Sequence, residues 1–361
     1  MSEQNVAPMR APETSTARGR VSMVDVARRA GVSQKTVSRV VNNEPHVADA
    51  VRERVLAVIA ELGFRPNAAA RALVTQRSRR IGMVTIGSTL HGPSAILDGV
   101  EHAARAAGYF LSVVRTVENS PAELQAAVDQ LVSQGVDAIV VSEPVDFGHQ
   151  ELRVPADVAV LSFDFPDETH RPDELVVGAD ESGGARSATE HLLALGHTTV
   201  WHISGPATWA STRRRIAGWR AALEDVDAAE PAILVGDWTP QSGYDAMQGI
   251  LHRGDVTAVF AGNDQMAIGA MSAILAAGLR VPEDVSVVGF DDVAVAAFLP
   301  VPLTTVRQDF AEVTRLAMHR LIRTLEGHPP ADRHRSIPAQ LITRATTAAP
   351  NPTRTSITAA R

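Results

Sequence analysis

The 361-residue chain has no cysteine, a single lysine and no apolar run approaching the roughly 20 residues of a membrane-spanning helix. Without cysteine there is no disulfide, no thiolate metal site and no cysteine nucleophile, which agrees with a reducing compartment. Met1 to Arg20 is rich in Thr, Ser, Pro, Ala and Arg and lacks the hydrophobic stretch of a secretory leader, so a cytoplasmic location is expected. Catalytic signatures are missing as well: there is no Gly-x-Ser-x-Gly elbow, no Gly-x4-Gly-Lys-Ser/Thr phosphate loop and no His-Glu-x-x-His pair. His191, His197 and His202 lie close in sequence, but a helix face and a strand account for them more simply than metal ligation does. A glycosidase needs two carboxyl groups about 5–9.5 Å apart across one bond, whereas Asp291 and Asp292 are neighbours that a strand would point to opposite faces. The sequence thus predicts no enzyme, no cofactor and no metal.

What is present is the composition of a folded protein, 45% hydrophobic and 21% charged, at a length of two or three domains. The net charge of −7 averages two unlike parts: residues 1–80 carry 14 Lys+Arg against 7 Asp+Glu, and the remainder 20 against 34. A basic head on an acidic body points to nucleic-acid contact at one end. Ser22 to Gly63 reads as three short helices, Ala68 to Val74 as a fourth, and Thr75 to Arg80 as a linker. From Ile81 onward, apolar β-type runs alternate with amphipathic helices, and the alternation restarts near Gly183. That pattern predicts two α/β units with parallel sheets.

In the head, Ser22 and Asp25 form a helix start, and Val24, Ala27 and Arg28 are read as its inward face. Gly31 suits the positive φ of a tight turn, and Ser33 can cap a second helix whose inward face is Val37, Val40 and Val41. This is helix-turn-helix spacing, and it turns Gln34, Lys35, Ser38 and Arg39 outward, where they can reach base edges in a major groove. The competing reading is a plain surface helix with solvated charges. Asn67 can cap the segment Ala68 to Val74, which is too short to be a stable helix alone in water. Leu73 is then either an apolar wedge between base steps of the minor groove, with Arg71 beside it, or a packing residue against the body.

The segments Val24-Asp25-Val26-Ala27-Arg28-Arg29-Ala30-Gly31-Val32-Ser33, Thr36-Val37-Ser38-Arg39-Val40-Val41-Asn42 and Pro66-Asn67-Ala68-Ala69-Ala70-Arg71-Ala72-Leu73 resemble the headpiece and hinge of the LacI/GalR family of bacterial transcription regulators. The resemblance implies that Gln34, Lys35 and Arg39 choose the operator, that Ser33, Thr36, Asn42 and His46 hold the DNA backbone, and that Leu73 intercalates. It also implies a small all-α headpiece in front of a periplasmic-binding-protein-like α/β body made of two parallel-sheet subdomains.

In the body, three acid or amide groups fall at strand ends, where open sheets bind ligands: Asp164 after Val158 to Phe163, Asn263-Asp264 after Val259-Phe260-Ala261, and Asp291-Asp292 after Val285 to Phe290. Carboxylate, amide, guanidinium and indole together suit a sugar, although helix capping is the alternative for Asp264 and Asp291. The family resemblance continues through Leu195-Gly196-His197, Arg215-Ile216-Ala217-Gly218-Trp219, Gly236-Asp237-Trp238, Asn263-Asp264-Gln265-Met266-Ala267, Val287-Val288-Gly289-Phe290-Asp291-Asp292 and Leu303-Thr304-Thr305-Val306-Arg307-Gln308-Asp309-Phe310. It implies an effector site of Asp164, Ser211, Arg215, Trp238, Asn263, Asp291 and Gln308, with Leu90, Gly92, Pro93, Ile96 and Phe310 on its apolar side, and a galactoside as effector. Ser142, Asn119 and Gly178 stand where the family's galactoside-responsive pattern has Asn, Arg and Phe.

The expected divisions are a disordered tail over 1–20, the headpiece over 21–65, a hinge helix and linker over 66–80, the core over 81–344 and a flexible tail over 345–361. Within the core, one subdomain takes about 81–178 and 308–337 and the other about 179–307 and 338–344. The stretch after Pro350-Asn351 lacks leucine heptads, so a homodimer and not a tetramer is expected, with double-stranded operator DNA and a small sugar as partners and no membrane. Two other readings stay open: an activator or corepressor-dependent regulator of the same family, and a soluble sugar-binding module, which would have no use for Ser22 to Leu73.

Overall fold

In a computed structural model, the described residues are 21–42, 44–65, 77–87, 90–117, 120–142, 152–163 and 172–352. The chain forms two compact units, Met1–Ser78 and Arg79–Arg361. The first is built from α1 (Met23–Ala30), α2 (Gln34–Val41) and α3 (Asp49–Leu62). At the start of α1 the Ser22 hydroxyl accepts the Asp25 N–H while the Asp25 carboxylate accepts the Ser22 N–H, a reciprocal cap that satisfies two otherwise orphaned donors. Gly31 ends α1 at φ 65°, and two residues later the Ser33 hydroxyl accepts the Thr36 N–H to open α2. The core is Val26, Ala27, Ala30, Val37, Val40, Val55, Val58 and Phe64. The sequence reading of α1 is corrected in one respect: Val24 is 47% exposed and Arg28 is exposed, while Val26 and Ala30 turn inward with Ala27. At 100° per residue, Ala30 shares a face with Val26 and Ala27, and Val24 lies too far round the helix to join them.

The second unit contains two six-stranded sheets. Strands β1 (Arg80–Ile86), β2 (Phe110–Thr116), β3 (Ala138–Ser142), β4 (Ala159–Ser162), β5 (Leu175–Asp180) and β11 (His334–Pro338) form the first, in the order β11-β5-β4-β3-β1-β2. The second holds β6 (Trp201–Ser204), β7 (Leu234–Val235), β8 (Ala258–Ala261), β9 (Ser286–Phe290), β10 (Thr304–Arg307) and β12 (Gln340–Ile342), in the order β12-β10-β9-β8-β6-β7. All pairings are parallel except β10 with β12. Helices α4 (His91–Ala106), α5 (Pro121–Ser133) and α10 (Phe310–Leu325) cover the first sheet. Helices α6 (Glu181–Ala194), α7 (Ala210–Glu224), α8 (Pro240–Leu251) and α9 (Asp264–Ala276) cover the second. The chain passes between the sheets after β5, after β10 and after β11, so each lobe is assembled from separated pieces of sequence. No helix among the described residues is long and apolar enough to cross a membrane.

The strands and helices predicted within the described residues recur, while β5, β7, β10 and β11 go beyond those read as strands from the sequence. β11 sits at a sheet edge with mostly exposed residues and therefore has no apolar run to announce it. The expected flexible tail from Ala345 is overturned over its first residues. The Ala345 N–H donates to the Pro302 carbonyl, Thr346 is fully buried with its hydroxyl donating to the Val287 carbonyl at 2.6 Å, and the Ala348 N–H donates to the Ser286 hydroxyl. Backbone pairing with the second sheet orders a segment whose Thr/Ala/Pro composition gives no periodic signal.

Candidate functional site

On the headpiece, the side of α2 opposite the core presents Gln34, Lys35 and Arg39, all exposed, with Ser38 half-buried. Arg39 lies 3.8 Å from Glu44, a surface pair that a stronger anion can displace. Ser33, Asn42 and His46 are exposed, and Thr36 is half-buried, its hydroxyl 2.9 Å from that of Ser33. Ser33, Gln34, Lys35 and Thr36 cluster at the N-terminal turn of α2, where unpaired backbone N–H groups and the helix dipole favour a phosphate. Leu73 and Arg71 lie outside the described residues, as do the helix read over Ala68 to Val74 and its cap Asn67.

The body holds a cavity of about 130 Å³ between its two sheets. Its walls differ in chemistry. Leu90, Gly92, Pro93, Ile96, Phe163, Val177, Gly178, Ala179, Phe310 and Val313 make one side mostly apolar, with His91 and Ser142 its polar members. Glu181, Ser211, Arg214, Arg215, Asn263, Asp291 and Gln308, with Trp209 and Trp238, form the other.

Arg215 organises the polar wall. It enters from α7, donates to the Gly262 carbonyl and to Glu181 at 2.7 Å, and lies 3.9 Å from the Asp291 carboxylate. Its guanidinium stacks 4.0 Å from the centre of the Phe290 ring and 5.5 Å from that of Trp238, a desolvated cation held on aromatic faces. Asp291 accepts a hydrogen bond from Gln308 Nε2 at 2.9 Å. Burial pushes its carboxyl above the usual carboxylate range, while Arg215 opposes the rise. Asn263 caps α9 by accepting the Met266 N–H and donates its amide to the Trp238 carbonyl, fixing the backbone that carries the indole at φ 74°. The buried donors Arg215 Nε and Trp238 Nε1 have no partner among the described residues.

One cavity therefore gathers Ser211, Arg215, Trp238, Asn263, Asp291, Gln308, Leu90, Gly92, Pro93, Ile96 and Phe310, together with the departing positions Ser142 and Gly178. Asp164 and Asn119 lie outside the described residues. The capping alternatives resolve differently: Asn263, not Asp264, caps α9, and Asp291 caps no helix. Asp264 lies fully buried behind the site, where burial and the nearby Asp291 push its carboxyl up to about 8. Asp291 and Asp292 are not on a strand; both follow β9 with positive φ. Sequence reasoning missed Glu181, His91, Trp209 and Arg214. Glu181 opens α6 and looks like an ordinary first-turn acid; only its neighbours Arg214 and Arg215, 33 and 34 residues further on, reveal the pairing.

Residues 22–67 match the family of bacterial regulatory proteins named for lacI, and residues 189–347 match the periplasmic binding protein-like domain. The chain is 39% identical over 336 residues to the lactose operon repressor of Escherichia coli, covering 92% of each chain. It is 33% identical over 313 residues to the ribose operon repressor of the same species, covering 84% of this chain and 93% of that one. A crystal structure of the lac repressor dimer bound to operator and the anti-inducer ONPF superimposes with a TM-score of 0.80 at 35% identity, over 91% of this chain and 99% of the other. Identity of this extent, running from the headpiece through both lobes, means that the chain belongs to the LacI family and is a DNA-binding transcriptional repressor, not an enzyme.

Proposed function

We propose that the protein works in the cytoplasm as a homodimer that leaves its operator when a galactoside enters the cavity of the body. Two headpieces would each read one half of a pseudo-palindromic operator. Gln34, Lys35 and Arg39 contact base edges, Ser33, Thr36, Asn42 and His46 hold phosphates, and Leu73 opens the minor groove. In the cavity, the Asp291 carboxylate accepts from adjacent sugar hydroxyls, and Arg215, Asn263, Gln308 and Ser211 supply donors. Trp238 covers the apolar face of the ring, while Leu90, Gly92, Pro93, Ile96 and Phe310 receive the less polar part of the ligand. Asp164 is proposed as a further sugar ligand. The two-sided lining of the cavity is the observation that carries this reading, because a sugar has both hydroxyl rims and apolar faces. Relatives named for lactose and ribose operons support a sugar as effector.

Release follows from linkage. A sugar that binds the closed arrangement of the lobes more tightly than the DNA-binding one lowers operator affinity by the ratio of the two affinities. Fluorescence anisotropy on labelled DNA from upstream of the gene, at fixed salt with a panel of sugars, tests it. Tight binding reversed by a galactoside is expected; reversal only by a non-sugar overturns the effector assignment. Asp291→Asn and Arg215→Ala should bind DNA within about threefold of wild type and lose the response to sugar. Sedimentation should give a dimer, and a stable tetramer would overturn that part.

A further inference from the structure

The proposed effector site needs the Asp291 carboxylate aimed at the cavity, and the backbone that aims it is an unfavourable one. Asp291 and Asp292 leave β9 at φ 113° and 53°, two consecutive side-chain-bearing residues in the region that favours glycine. Such a turn persists only if its surroundings over-determine it. The Asp291 N–H donates to the Val306 carbonyl at 2.7 Å, and the Val293 N–H donates to Asp264 at 2.8 Å, so the turn is tied at both ends. Between them, the buried side chain of Asp292 points away from the cavity into a clamp of two arginines. Arg307 of β10 donates to Oδ2 through Nε at 2.7 Å, with Nη2 at 2.6 Å, and Arg344 donates to Oδ1 at 2.6 Å. Arg344 is itself fastened: its N–H donates to the Thr304 hydroxyl and its Nη1 to the Leu303 carbonyl.

We propose that Asp292, held by Arg307 and Arg344, is a positioning residue for the effector site, and that the C-terminal segment therefore takes part in sugar binding without touching the sugar. This rests on the reading of Asp291 as a sugar ligand. Asp292 fixes the peptide that precedes it, and with it the direction in which Asp291 leaves the chain. A carboxylate accepting from Arg307 and from the fastened guanidinium of Arg344 resists rotation far better than one hydrogen-bonded neighbour would allow. A wall that presents Asp291, Arg215 and Gln308 in fixed register spares the ligand the entropy of assembling them.

The test uses the full-length protein with Asp292→Asn, and with Arg344→Gln and Arg344→Lys as a pair that keeps the test open if the first variant does not fold. Three readouts are taken: backbone hydrogen exchange at residues 290–293 without ligand, calorimetric affinity for methyl and o-nitrophenyl β-galactosides, and operator affinity without sugar. Asp292→Asn and Arg344→Gln should speed exchange at 290–293 alone and weaken galactoside binding by about tenfold or more, with operator affinity within about threefold of wild type. Arg344→Lys, which keeps one charge-assisted bond, should recover much of that loss. Unchanged local exchange overturns the proposal. So does unchanged sugar affinity, or a loss of operator binding in step with sugar binding, which would mark the clamp as scaffold only. If the wild type binds no galactoside, the effector reading fails instead, and the exchange at 290–293 alone decides whether the clamp holds the turn.

Discussion

Gly205 shows how one missing side chain shapes the site. A Cβ there would overlap the indole of Trp238, which is only 4% exposed and has no room to retreat, so glycine is the residue that lets the ring lie against the wall. Gly205→Ala should cost about 1–3 kcal/mol of stability through overpacking and weaken sugar binding by about tenfold, while operator affinity changes little. Calorimetry with the sugar identified by anisotropy checks it, and an unaltered affinity would mean that Trp238 can move freely. Gly289 plays the same part for Asp264, whose carboxylate occupies the space a Cβ would need. Neither requirement is visible in the sequence, since a glycine just after a strand, like Gly205, reads equally well as a turn, and one within a strand, like Gly289, as a bulge.

Short elements depend on their caps, and α2 is the clearest case. Eight residues cannot sustain a helix in water unaided, so the Ser33 cap and the Val37 and Val40 contacts decide whether its outer face exists at all. Ser33→Ala should cost about 1 kcal/mol of headpiece stability and reduce operator affinity several-fold, with sugar affinity unchanged. Parallel measurement of both affinities checks it, and equal losses would contradict the separation of roles. The headpiece was legible because its signals are local: Ser22 with Asp25, Gly31, Ser33 and the valines of α2 act within a few residues of one another. The segment after β12 was not. Thr346 is ordered by groups on β9 and at the start of β10, Val287 and Thr304, each more than 40 residues away.

For the molecule as a whole, two sets of buried groups pull stability in opposite directions with pH. Burial brings His202 down to about 4 from its ordinary 6.5 and lowers His197 and His191 as well. Below pH 6.5 the unfolded chain takes up protons that these folded histidines refuse, so stability falls as pH drops from 6.5 towards 4. Asp264 acts the other way. It keeps its proton in the folded protein up to about pH 8 but loses it near 3.8 when unfolded, so its contribution is complete below 3.8 and is lost as pH rises towards 8. Between 4 and 6.5 the two oppose each other; from 6.5 to 8 Asp264 acts without them. Thermal melts should show Tm falling from pH 6.5 to 8 in the wild type and a flatter profile in Asp264→Asn, whatever its absolute Tm. A wild-type profile flat over that range would refute the assignment. The sequence alone determined the basic head, the helix-turn-helix, the alternation of strands and helices and the strand-end groups Asn263 and Asp291, because periodicity, caps and strand-end acids are written within short windows, whereas the other residues expected around the cavity came from the family resemblance. Only the tertiary structure decided that Glu181 pairs with Arg215, that Asp264 lies buried behind Asp291, and that Arg344 grips Asp292, because each of these joins groups brought together by sheets whose strands are far apart in the chain.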